Sequence, residues 1–249
     1  MGGRNTQQQQ QSSYPSMMGN GYSYGGGGMM GRGGGMISSS SGSAMMGSGM
    51  MNQSFAMMTT QGQPISIQQA IQQTKSIPAN ARVIPANNTI TFSSENVSIF
   101  ALAIMPDKAV NLTGTQPPSY SNGDVFVIYG LINPTLVIPA GASVHFTIVN
   151  LDDDMYHNLV VSTLSPPYPY MAMQGMMTYP QNYQAGGTAS SSSQNMMLPF
   201  LPPANYSQGS AHEYSYSLTF NQAGSLWYLC TYPGHAQLGM YGRIVVVNG

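Results

Sequence analysis

From residue 84 to residue 249, apolar and polar residues alternate in short runs separated by Pro, Gly and Asn. The runs 89–92, 96–105, 124–130, 135–141, 143–150, 157–163, 213–220, 225–230 and 242–247 are rich in β-branched and aromatic residues. Each reads as a strand. No helical period intervenes, so residues 84–249 are expected to form one all-β sandwich or barrel. Residues 165–210 interrupt this pattern with Pro166-Pro167, Met176-Met177, Ser190–Ser193 and Met196-Met197. A connection of that length reads as a large Met/Pro-rich insertion between two strands. Upstream, residues 64–83 read as a linker in which 65–74 can form one short helix before Pro78 and Pro85.

Composition separates the first 63 residues from the rest. Residues 1–60 hold 15 of the 29 Gly and 12 of the 21 Met, and neither Val nor Leu. Such a segment offers little apolar surface to offset its ordering entropy, and 1–63 is expected to be a flexible Gly/Met/Ser/Gln-rich tail. Over the whole chain only 5% of residues are charged and the formal net charge is −1. No basic stripe exists to neutralise phosphates, which argues against nucleic acid as a partner. One Cys excludes a disulfide framework, a Cys-rich zinc site and a two-Cys copper centre. Four His without a His-x-His pair argue against a multicopper oxidase cluster. No apolar run approaches the ~18 residues of a membrane span.

The chemistry concentrates near the C-terminus. Cys230, His235 and Met240 are spaced by five and five, between a strand-like run before Cys230 and another after Met240. All three then lie on one loop, which Pro233, Gly234 and Gly239 allow to fold back on itself. A fourth donor is expected from His157, which follows the turn Asp152-Asp153-Asp154. Two imidazoles, a thiolate and a weak thioether form the blue-copper donor set, soft enough for Cu(I) and nitrogenous enough for Cu(II). Zinc favours four strong ligands, and Met240 is a poor one. A Cys–His nucleophile is the enzymatic alternative, but no oxyanion loop or helix N-terminus stands behind Cys230. His145 alternates out of phase with the apolar residues of 143–150 and is expected to face solvent. His212 opens another strand and is expected to be solvated. Protons compete with a metal for His157 and His235, so the metal-free form is expected to lose more stability in acid.

At these residues the chain resembles the cupredoxin superfamily, and within it the sulfocyanins most, with the rusticyanins next. The matching features are the Cys230, His235, Met240 loop and the pair His157-Asn158. Asn133-Pro134, Val137 to Gly141 and Leu218-Thr219-Phe220-Asn221 also match. The resemblance implies a cupredoxin-like Greek-key β-sandwich and one type 1 copper ion cycling between Cu(I) and Cu(II). It implies no enzymatic reaction, but single-electron transfer between respiratory redox partners such as a cytochrome complex or a terminal oxidase. In cupredoxins the residue after the first His ligand often ties down the strand carrying the Cys, a role that falls to Asn158. A monomer at the outer face of the cell membrane is expected, often in acid surroundings. A membrane surface enters as a partner through an N-terminal anchor of the sulfocyanin kind, which this sequence lacks. Five Asn-x-Ser/Thr triplets (at Asn52, Asn87, Asn96, Asn111 and Asn205) fit an exported protein. The alternative is a Met-rich copper-binding or copper-delivery protein, in which the tail receives Cu(I) through its thioethers.

Overall fold

The structure, a computed structural model, describes residues 59–173 and 198–248. Among them twelve strands build two sheets. The strands are β1 (Gln63–Ser66), β2 (Ala81–Ile84), β3 (Thr89–Phe92), β4 (Asn96–Ile104), β5 (Val125–Ile128) and β6 (Leu131–Ile132). They continue as β7 (Thr135–Pro139), β8 (Ala142–Asn150), β9 (Val160–Ser162), β10 (Ser210–Phe220), β11 (Gly224–Leu229) and β12 (Tyr241–Val247). One sheet runs β1-β10-β8-β4-β5-β6 and the other β2-β3-β7-β12-β11-β9. Three adjacent pairs are parallel: β4 with β8, β3 with β7 and β7 with β12. The nine runs marked as strands in the sequence all appear, and the fold is the β-sandwich expected.

The core follows from strand alternation. In β8, Ala142, Val144, Phe146 and Ile148 point inward and are fully buried, while Ser143 and His145 face out. His145 bonds Ser217 on β10 at 3.1 Å. β4 departs from this rule, because Phe100 to Ile104 are buried on both faces. A strand apolar on both sides needs a second cover. Helix α1 (Ile67–Lys75) supplies it, packing on β4 and burying Ile67, Ala70 and Thr74. Ser66 caps α1, its hydroxyl accepting the Gln69 N–H at 3.1 Å. A second helix, α2 (Pro106–Thr113), ends at Gly114, whose φ of 72° suits a left-handed cap.

Two stretches differ from the sequence expectation. Residues 64–83 are part of the sandwich, since β1 pairs with β10 and β2 with β3. His212 consequently sits half-buried opposite Pro64, its Nδ1 bonded to the Gln61 carbonyl. The strands are four residues each, too short and too polar to show a period. The ends of the 165–210 stretch are likewise built in: Tyr168, Ala172, Leu198, Phe200, Leu201 and Ala204 are buried. Met176, Met177, Met196, Met197 and the Met pairs of residues 1–58 lie outside the described residues.

Candidate metal centre

Pairing of β9 with β11 sets the site. Val160 stands opposite Leu229, so the chain just before β9 runs beside the chain just after β11. His157 and Cys230 are thereby brought together from positions 73 residues apart. The loop between β11 and β12 returns on itself through its own backbone. Cys230 N–H donates to the Met240 carbonyl at 3.1 Å, and Met240 N–H donates to the His235 carbonyl at 2.9 Å. Gly234 and Gly239 take φ of 85° and 99°, which side chains rarely adopt. A Cβ on Gly239 would also lie 2.4 Å from the Tyr120 carbonyl oxygen. Asn133 clamps this point, donating from Nδ2 to the Gly239 carbonyl at 3.0 Å and accepting the Phe126 N–H at 2.8 Å.

Three donor atoms converge inside the loop. Cys230 Sγ lies 3.7 Å from His157 Nδ1 and 3.6 Å from His235 Nδ1, and the two nitrogens are 3.2 Å apart. A point equidistant from all three lies about 2.0 Å from each, the length of a first-row metal–imidazole bond. Met240, wholly buried, is the residue that closes the loop. His157, Cys230 and His235 are buried, so water is excluded from the donors. Two ring nitrogens and a sulfur facing one another leave lone pairs that only a proton or a cation can satisfy, and the donor set fits copper.

The surroundings are tied to both donor-bearing segments. Asn158 is fully buried. Its Nδ2 donates to the Leu198 carbonyl at 2.9 Å and to Thr231 Oγ1 at 2.8 Å, and its Oδ1 accepts the Thr231 N–H at 2.9 Å. The residue after His157 thus fastens the residue after Cys230. Tyr232 packs on His235 with centroids 4.6 Å apart, and Phe200 meets Tyr232 edge-on. Tyr170, Leu238, Tyr120 and Met171 form an exposed apolar collar, Tyr170 being 61% exposed and Leu238 48%. The Tyr170 carbonyl accepts the Gly234 N–H at 2.7 Å.

Two acidic residues belong to the site although no sequence motif marks them. Asp152 is fully buried, with Oδ2 3.2 Å from His157 Nε2. Asp124, partly buried, places Oδ2 3.9 Å from the same nitrogen and 4.0 Å from His235 Nδ1. Burial alone would lower the His157 pKa, but hydrogen bonds to Asp152 and Cys230 raise it to about 9 in the metal-free protein. Burial would raise the Cys230 thiol, yet His157 and His235 pull it down to about 6. Burial and the neighbouring Asp152 charge push Asp124 up. Burial works against the Asp152 charge as well, but the His157 hydrogen bond and backbone N–H donors hold Asp152 below the usual carboxylate range.

The model of the copper-binding proteins of the plastocyanin/azurin family matches residues 132–247, from β6 to the end of β12. Rusticyanin of Acidithiobacillus ferrooxidans is 29% identical over 168 residues, covering 65% of this chain and 68% of its own. Rusticyanin of Acidithiobacillus ferridurans is 28% identical, with the same coverage. Among solved structures, rusticyanin from Thiobacillus ferrooxidans at 1.27 Å superposes with a TM-score of 0.52. It covers 76% of this chain and 98% of its own, at 23% identity. The relatives named are rusticyanins, the second of the two cupredoxin groups expected.

Proposed function

We propose that this chain, which belongs to the cupredoxin superfamily, is a single-electron carrier whose one type 1 copper ion is held by His157, Cys230, His235 and Met240. The observation that carries the reading is the buried triangle of Nδ1, Nδ1 and Sγ atoms with edges of 3.2–3.7 Å. Bound there, copper supplies the one-electron couple. The protein supplies a fixed trigonal set that suits both oxidation states. Cys230 would hold it as a thiolate, His157 and His235 would present Nδ1, and Met240 would add its weak thioether. The loop hydrogen bonds and the Asn158–Thr231 tie keep these groups in place as the electron moves. Asn158 acts as a second support of the ligand set.

The carrier works outside the cytoplasm between larger redox proteins, a cytochrome complex and a terminal oxidase being the partners that the family likeness supports. It catalyses no reaction of its own. The independently folded unit is the sandwich from about residue 59 onward. An acid-living source, a location at the outer face of the cell membrane and a sulfocyanin-like role extend the same reading.

Loading the protein with one equivalent of copper and recording absorption and EPR spectra tests the proposal. A strong band near 600 nm is expected, abolished by Cys230→Ser. Met240→Leu is expected to keep the band and raise the reduction potential, since a weak donor to Cu(II) is lost. A colourless protein that holds several Cu(I) ions through its methionines would instead support copper delivery.

A further inference from the structure

Resting on the copper reading above, we infer that Asp152 is a positioning residue for the His157 ligand and that its carboxylate holds the copper potential down. His157 has two ring nitrogens, and only Nδ1 faces Cys230 and His235. The other, Nε2, faces Asp152 Oδ2 at 3.2 Å, both side chains being fully buried. A carboxylate only accepts hydrogen bonds, so Nε2 carries a hydrogen, and once the ring is neutral its lone pair lies on Nδ1. The tautomer that can bind metal is therefore selected by Asp152.

Asp152 is itself held rigidly. Its Oδ1 accepts the N–H groups of Asp154 at 3.1 Å and Met155 at 3.4 Å. Its N–H donates to Asn150 Oδ1 at 2.9 Å, and its carbonyl accepts the Ala204 N–H at 2.6 Å. Asn150 Nδ2 in turn donates to the Leu201 carbonyl at 3.1 Å. Leu201 pairs with the His157 backbone, its N–H donating to the His157 carbonyl at 2.8 Å. Ring and backbone of His157 are thus fixed by one buried network running from β8 to the 198–204 segment. A buried negative charge on the far side of a ligand imidazole raises ligand basicity and favours the more highly charged metal ion, Cu(II), over Cu(I).

Asp152→Asn tests this. An asparagine that keeps its Oδ1 in the turn sets an N–H2 donor against Nε2–H. One that flips loses the turn, and either way the charge is gone. Loss of such a ligand support costs roughly 10–100-fold in metal affinity. If that loss falls on Cu(II), the potential rises by about 60–120 mV, at 59 mV per tenfold. The wild-type protein gives a second test that needs no variant. Its Cu(I) form is expected to show, by ¹⁵N NMR, a protonated and slowly exchanging Nε2 on His157 and a metal-bound Nδ1. Cu(II) and Cu(I) affinities and the potential are measured alongside. An unchanged potential and affinity ratio in the variant, or a deprotonated Nε2 in the wild type, overturns the inference and leaves the copper centre standing. A wild-type protein without the 600 nm band overturns the copper reading instead.

Discussion

Asn158 is fully buried and satisfies three groups in two other segments: the Leu198 carbonyl, the Thr231 N–H and the Thr231 hydroxyl. Asn158→Ala leaves these partners buried and unpaired, at a cost of about 3 kcal/mol. In a domain of this size that lowers the thermal midpoint by about 6–12 °C, measurable by circular dichroism of the metal-free protein. The tie from Asn158 to Thr231 could be anticipated from the likeness to cupredoxins, and Cys230, His235 and Met240 stood out because the chemistry proposed for them asks for one loop with fixed spacing. Asp152 and Asp124 were not legible. A run of three Asp reads as a crowded, solvated turn. Only the fold separates Asp152, buried under the 198–204 segment, from exposed Asp153, which pairs with Lys108 at 2.8 Å. Asp124 reaches the site from the start of β5, and its side chain alone carries no period or motif.

At the scale of elements, β1 is short and lies at a sheet edge, yet it anchors a buried residue and a cap. Ile65 is 6% exposed and Ser66 caps α1. A chain beginning at residue 67 loses both. Burial of Ile65 contributes about 2 kcal/mol and the cap about 1 kcal/mol. Relative to a chain beginning at residue 59, a midpoint lower by about 6–12 °C is expected in a thermal melt. An equal midpoint would mean that β1 adds nothing to the sandwich. The other nine strands could be read from the sequence because each lies in a run of four or more residues, rich in β-branched and aromatic side chains and bounded by turn formers. β1, β2 and β6 could not, because two to four residues hold no period and their pairing is decided by the edges of β10, β3 and β5. Helix α2 was missed for a similar reason, since Pro106 opens eight residues, half of them polar, whose only fully buried side chain is Ala109.

For the whole molecule, the proton balance of the metal-free protein is set by the His157–Cys230 pair. His157, at about 9 when folded against 6.5 unfolded, adds stability that is full below pH 6.5 and is lost as pH rises through 9. Cys230, at about 6 against 9.0, adds stability that is full above pH 9 and is lost as pH falls through 6. Between about pH 6.5 and 9 the two slopes oppose each other, because folding moves one proton from sulfur to nitrogen without net uptake. Denaturant melts of the metal-free protein are expected to give nearly constant stability across that window. Copper addition at pH 7.5 is expected to release about one proton from the pair in weakly buffered solution. Release of two protons would show that Cys230 starts as a thiol. Charging His157 in acid is favoured by Asp152, so the acid loss expected from the sequence does not arise at His157. It arises at Cys230 as pH falls through 6, and again where Asp152 itself is protonated, below the usual carboxylate range. The apolar collar of Tyr170, Leu238, Tyr120 and Met171 has a kinetic consequence on a chain with only 6 Lys+Arg and 7 Asp+Glu. A partner that docks by this end is not drawn in over a distance by charge. Encounters then proceed at the unsteered rate of about 10⁵–10⁶ M⁻¹s⁻¹, hardly slowed by added salt.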